Sequence, residues 1–272
     1  MVGARRQGFA PHHPQPTTHH QNTMTILSTI RDGILSLTLN RPEKRNALDT
    51  PTLDALRAAL DQAELDAQVR VVAIRGAGKD FCAGADLNEL LASADKTLAE
   101  NEEAALRLGG LFVRIRTLPK LVVAVVHGRA FAGGAGLATA CDLVLATASA
   151  QFGYPEIQRG FVPAMVMTLL RRSVGEKIAL DLAVTGRVLT AAEAQAAGLI
   201  SRSIPDGEFE QTVNSVLTAL SQTSANALAL TKRQFYELDG VPFAEGIGLG
   251  ARVNALARAH PDFRTAIAAF LK

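Results

Sequence analysis

Three stretches of this chain carry the residue types that chemistry at a carbonyl group needs. Phe81-Cys82-Ala83-Gly84-Ala85-Asp86-Leu87 and Gly128-Arg129-Ala130-Phe131-Ala132-Gly133-Gly134-Ala135-Gly136 each join an apolar run to a helical pattern through mostly small residues. Small residues let backbone approach a ligand closely, and N–H groups at a helix start lack intrahelical acceptors. Two such turns aimed at one point form a two-donor oxyanion hole, which stabilises negative charge developing on a carbonyl oxygen. Taken singly, each is equally a tight turn with close helix–strand packing. The third stretch, Ala150-Gln151-Phe152-Gly153-Tyr154-Pro155-Glu156-Ile157, sets a carboxylate beside a proline that fixes the backbone. Ile157, Phe161, Val162 and Pro163 follow, so partial burial suits Glu156 to proton transfer.

Other chemistries find no motif. Gly-x-x-x-x-Gly-Lys-Ser/Thr, Gly-x-Gly-x-x-Gly and Gly-x-Ser-x-Gly are all missing, and no Cys/His cluster has metal-ligand spacing. A metal is therefore not expected. Net charge is +2, too small to point to nucleic acid. The best apolar run, Leu121–Val126, falls far short of the ~18 residues that a membrane span needs. Cys82 and Cys141 sit in apolar, small-residue surroundings and read as buried free thiols, which fits a cytoplasmic protein.

The elements that must position these residues alternate between strand and helix. Ile26–Leu39 reads as a hairpin around Asp32-Gly33. A helix follows with Thr50 as N-cap and Pro51 at its first position, burying Leu53, Leu56, Leu60 and Leu65. Val69–Arg75 is a buried strand, Leu87 onward is helical, and a longer helix spans about Lys96 to Thr117. Leu121–Val126 is another strand, then a helix runs through Ala138 and a strand starts at Leu143. After Phe152 the pattern is almost entirely helical. This predicts an α/β core over 24–200 with strands covered on both faces, and a helical C-terminal region over 201–272. Met1–Thr23 carries four His and three Pro with almost no aliphatic residues, and reads as a disordered extension.

The three stretches, in this order, resemble the crotonase superfamily (enoyl-CoA hydratase/isomerase family). Asn40-Arg41-Pro42-Glu43-Lys44-Arg45-Asn46-Ala47-Leu48, Cys141-Asp142 and the Leu182–Arg187 and Ala191–Leu199 segments add to the match, which covers residues 26–272. The resemblance implies the crotonase-like (ClpP/crotonase) spiral of ββα turns, and self-association into trimers and hexamers. It implies an acyl-CoA substrate, with no cofactor beyond the coenzyme A that the substrate carries. By that similarity the N–H groups of Ala85 and Gly133 form the oxyanion hole and Glu156 is the acid/base. Lys44, Arg45, Ala47, Leu48, Ala83, Asp86 and Leu87 would then line the CoA path, with Phe131, Gly134, Gly136 and Pro155 also at the substrate. The densest basic cluster beside a loop, Arg41, Lys44 and Arg45, suits CoA phosphates.

One departure stands out. Gly136 occupies the place where hydratases of the family usually carry a first glutamate, so only Glu156 remains. General acid–base help is worth about 10²–10⁴ in rate and an oxyanion donor about 10²–10³. One carboxylate is therefore enough for enolate chemistry, such as hydration or Δ3,Δ2-enoyl-CoA isomerisation. A lyase, dehydratase or decarboxylase on the same scaffold, or a catalytically silent acyl-CoA binder, are the alternatives. Room left at Gly136 would admit a bulkier acyl group, and Tyr154 would cap the pocket.

Overall fold

The apolar runs that carry no alternation become strands buried on both faces. The computed structural model describes residues 24–271, so the extension expected over residues 1–23 lies outside the described residues. The chain runs β1 (Ile26–Arg31), β2 (Ile34–Leu39), α1 (Thr50–Leu65), β3 (Val71–Gly76), α2 (Leu87–Ala92) and α3 (Leu98–Thr117). It continues through β4 (Leu121–Val126), β5 (Arg129–Phe131), α4 (Gly133–Ala140), β6 (Leu143–Thr147) and β7 (Gln151–Gly153). Next come α5 (Ala164–Val174), α6 (Glu176–Thr185), β8 (Val188–Thr190), α7 (Ala191–Ala196) and β9 (Arg202–Ile204). Four helices end it: α8 (Phe209–Gln222), α9 (Ala225–Glu237), α10 (Phe243–Ala259) and α11 (Pro261–Phe270).

The main sheet has the order β1-β2-β3-β4-β6-β9, with only the β1–β2 pair antiparallel. Asp32 and Gly33 join that pair at φ 51° and 78°, the positive values a type I′ turn requires. Along β3 and β4, successive side chains enter different cores. Val72, Ile74, Val122, Ala124 and Val126 join the larger cluster, while Val71, Ala73, Val123 and Val125 meet Phe209, Val213 and Leu217 of α8.

Short segments after each main strand form a second layer. Leu48 bridges Ala85, Cys82 bridges Ala130, and β5 pairs in parallel with β7. The strands β2, β3, β4 and β6 are each followed by a short paired segment and then a helix, which is the spiral of ββα turns expected. The division at residue 200 falls just before β9, which pairs with β6 and closes the main sheet.

Several details differ from expectation. Asp49, not Thr50, caps α1: its side chain accepts from Thr52 N, and Thr50 N–H donates to Glu89 instead. Leu65 is 88% exposed in the last turn, and Ala63 takes the buried position. Two short strands, β8 and β9, interrupt the helical tail, because three residues are too few to show a period. Tyr154 lies in the core rather than at a pocket mouth, with its hydroxyl 3.2 Å from Thr139 Oγ1.

The C-terminal helices are tied to the core by a buried ion pair. Lys232 of α9 donates to Asp142 at 2.7 Å, to Ile115 O at 2.7 Å and to Lys120 O at 2.9 Å. Val122 N and Tyr236 Oη donate to the same carboxylate. Asp142 is thus structural. Among the described residues no helix is long and apolar enough to cross a membrane.

Candidate active site

The two small-residue turns converge. A Cβ built on Gly133 would lie 3.7 Å from Ala85 N, and one built on Gly84 would lie 3.3 Å from Gly133 N. Neighbouring amides on both turns are spent on structure: Asp86 N donates to Leu48 O, Phe131 N to Cys82 O and Ala132 N to Gly153 O. The N–H groups of Ala85 and Gly133 have no protein acceptor among the described residues. Ala85 is exposed and Gly133 is the first residue of α4, where the helix supplies no acceptor. Such a pair can hold a single oxygen from two sides.

Strain aims the second donor. Ala132 adopts φ 50° and ψ −125°, a region that costs an L-residue about 1–3 kcal/mol and collects at functional turns. Packing enforces it. A Cβ on Gly134 would stand 2.3 Å from Cys82 O and 2.7 Å from its Sγ, so α4 presses directly on the first turn. Asp80 braces the approach, its Oδ1 accepting from Arg129 N at 3.1 Å and Arg129 Nε at 3.0 Å. Cys82 is a fully buried free thiol that burial pushes up to about 12, so it is no nucleophile.

Glu156 follows by three residues Gly153, whose carbonyl receives Ala132 N–H at 2.8 Å. It sits in a 3-10 turn, Pro155–Arg159, closed by Gly160 at φ 67°. Its residue exposure is 8%, and Oε2 is buried with no hydrogen-bond partner among the described residues. Burial raises its carboxyl above the ordinary value, opposed by its own backbone N–H and by the charge of Arg159. A buried, unpartnered carboxylate is poised to take a proton from something that is not protein.

Gly136 corrects the expectation of a roomier pocket. A Cβ there would meet Val166 Cγ2 at 2.7 Å, Phe112 Cζ at 2.9 Å and Phe112 Cε2 at 3.4 Å. Both residues are buried. The space is filled by an aromatic ring from α3 and a valine from α5, leaving none for a glutamate. Leu108, one turn before Phe112, faces Gly133, where a Cβ would lie 3.4 Å from its Cδ2. These apolar residues escaped notice because their meeting with α4 is tertiary. The only signal was the i, i+4 spacing of Leu108 and Phe112 on one face of α3.

The basic loop divides by role. Arg41 is spent on structure, donating to Ala47 O at 2.7 Å and pairing with Asp49 and Asp86 at 3.1 and 2.9 Å. Asp86 is correspondingly no free ligand group. Burial would raise its carboxyl, but hydrogen bonds from Arg41 and the Asn88 amide, with the Arg41 charge, hold it below the ordinary value. Lys44 and Arg45 are exposed beside the first turn, where Arg45 O accepts Ala83 N–H. Ala47 and Leu48 are buried behind them, and Leu87 is 63% exposed. Phe131 ends β5 within the second turn, its ring 3.6 Å from where a Cβ on Gly153 would stand. Asn46, a site residue the sequence reading missed, pins this loop, its Nδ2 donating to Ala77 O and Asp80 O. Among the described residues no three potential metal ligands cluster.

The ββα spiral thus carries two unpartnered amides on converging turns, Ala85 and Gly133, and a buried acid, Glu156, three residues after the strand residue that receives the Ala132 N–H. The chain belongs to the enoyl-CoA hydratase/isomerase family, whose model matches residues 29–271. It is 42% identical over 234 residues to a putative enoyl-CoA hydratase of Thermus thermophilus, spanning 86% of this chain and 92% of that one. It is 35% identical over 248 residues to the 2,3-dehydroadipyl-CoA hydratase of Escherichia coli, spanning 91% and 95%. The crystal structure of an enoyl-CoA hydratase of Mycobacterium smegmatis superposes with a TM-score of 0.87 at 31% identity, covering 91% and 96%. The chain is thus an enzyme of hydratase/isomerase type.

Proposed function

We propose that the chain acts on an enoyl-CoA thioester, holding the thioester oxygen with the N–H groups of Ala85 and Gly133 and moving one proton with Glu156. The observation that carries this reading is the partnerless buried oxygen of Glu156, together with the packing of Phe112 and Val166 against Gly136, the position of the family's other glutamate. With one carboxylate, the step best supported is a 1,3-proton shift. Glu156 takes a proton from C2 of a 3-enoyl thioester, and charge gathers on the oxygen held by the two amides. The dienolate then takes the proton back at C4, leaving the double bond between C2 and C3. Lys44 and Arg45 are the free cations that suit the CoA phosphates. No cofactor beyond the coenzyme A of the substrate is needed.

Hydration is the second reading, favoured by the relatives' names. Glu156 takes a proton from the water whose oxygen bonds to C3 of a 2-enoyl thioester, and returns it to C2 of the resulting enolate. A product assay with 2-enoyl and 3-enoyl CoA thioesters separates the two. The expected result is faster turnover of the 3-enoyl substrate, with Glu156→Gln lowering it about 10²–10⁴-fold and leaving thioester binding intact. Unchanged turnover in that variant would remove Glu156 from the mechanism. Exposed Phe243 (85%) and Phe270 (87%) on the C-terminal helices support self-association, as trimer or hexamer. Free, buried Cys82 and Cys141 suit the cytoplasm.

A further inference from the structure

A cavity of about 450 Å³ lies beneath α9, at the opposite end of α4 from Gly133. Thr139, six residues along α4, lines it, so the two places are separated by roughly 9 Å of helix at ~1.5 Å per residue. Its volume is that of a small-molecule site, within the range of about 300–1,000 Å³.

The charges around it do not cancel. Asp142 is matched by Lys232, and Asp239 by Arg172. Arg116 remains, with no carboxylate partner and no hydrogen bond to protein among the described residues. Its Nε is buried and unpartnered, and its guanidinium carbon lies 4.7 Å from the centre of the Tyr236 ring. Stacking on an aromatic face fixes the plane of the guanidinium and leaves its N–H edge for an anion. The terminal nitrogens of Arg116, which make no hydrogen bond to the described residues, are the atoms left to meet an occupant of the cavity. The rest of the wall is mixed: Val144, Leu199 and Ile200 line it while nearly buried, Leu238 is 39% exposed, and half-exposed Arg172 lines it as well.

We propose that this cavity binds an amphipathic monoanion, a small carboxylate with a hydrocarbon tail. Arg116 takes the carboxylate, supplying one uncompensated positive charge, and the aliphatic wall takes the tail. This ligand is separate from the thioester, and its site touches none of the residues proposed to act on substrate.

The test is calorimetric titration of octanoate into the full-length protein saturated with butyryl-CoA, a thioester with no double bond to react. One octanoate per chain should bind saturably, with octanol at least tenfold weaker. Arg116→Gln should weaken octanoate at least tenfold while leaving turnover on enoyl-CoA within twofold. Phe235→Asp places a negative charge at the rim, where Phe235 is 70% exposed, and should weaken octanoate without a cost in folding. The proposal is overturned if octanoate and octanol bind alike, if butyryl-CoA displaces octanoate, or if both variants bind as wild type does. A crystal structure in which a neighbouring copy's side chain fills the cavity against Arg116 overturns it too.

Discussion

Helix α4 and the turn at Pro155–Arg159 are tied through residues at or beside their ends, Ala132 N to Gly153 O and Thr139 to Tyr154, yet they are built in contrary ways. All eight residues of α4 are buried, none can titrate, and packing leaves no room for a methyl group at Gly134. The turn holds a carboxylate with an unpartnered oxygen, and Ile157, Phe161 and Val162 are exposed around it. An over-determined element suits a donor that must not move when charge develops. An under-satisfied acid suits a group that must gain and lose a proton. The contrast teaches that damage to folding and damage to chemistry should separate by element.

The sharpest way to break that contrast is Gly134→Ala. The new methyl would meet Cys82 O, a backbone atom with no freedom to swing away. Overpacking typically costs about 1–3 kcal/mol, and a backbone clash belongs at or beyond the upper end. Urea denaturation should show that loss, and turnover should fall with it because Gly133 moves too. A variant with wild-type stability would mean that α4 is looser than its contacts imply.

Gly136→Ala should be milder, because it meets only side-chain ends, Val166 Cγ2 and Phe112 Cζ. A loss of about 1–2 kcal/mol is expected. Phe112→Leu in the same chain should return part of it, giving a coupling of at least about 0.5 kcal/mol in a double-mutant cycle. Additive effects would separate Phe112 from position 136 and reopen the question of a second carboxylate there.

How far the sequence disclosed this arrangement depends on distance along the chain. The hairpin at Asp32-Gly33, the buried strand Leu121–Val126 and the small-residue turns were legible because alternation, continuous apolarity and glycine placement are local signals. The cap of α1 slipped by one residue because Asp49 and Thr50 both precede Pro51 and both are good caps. The meeting of Phe112 and Val166 with Gly136 was not legible: the i, i+4 spacing of Leu108 and Phe112 marks a shared helix face but not its partner, and residues 24 or more apart meet only through tertiary packing. Arg41 looked like a phosphate binder for the same reason, since its partner Asp86 lies 45 residues away.

The smallest effect concerns the stability of the acid itself. Burial holds the Glu156 carboxyl above its ordinary value of 4.5, so the folded chain binds that proton more tightly than the unfolded one. Its contribution to stability is complete below that ordinary value and is lost as pH rises through the higher folded value. Glutamine at 156 does not titrate. Glu156→Gln should therefore gain on wild type in urea midpoint between pH 4 and pH 7, even as turnover collapses. Over the same interval the acid limb of kcat/KM should have its midpoint above 4.5, because the base works only as carboxylate. If the stability gap narrows as pH rises, the carboxylate has partners that stabilise it, and the contrast between α4 and the turn disappears.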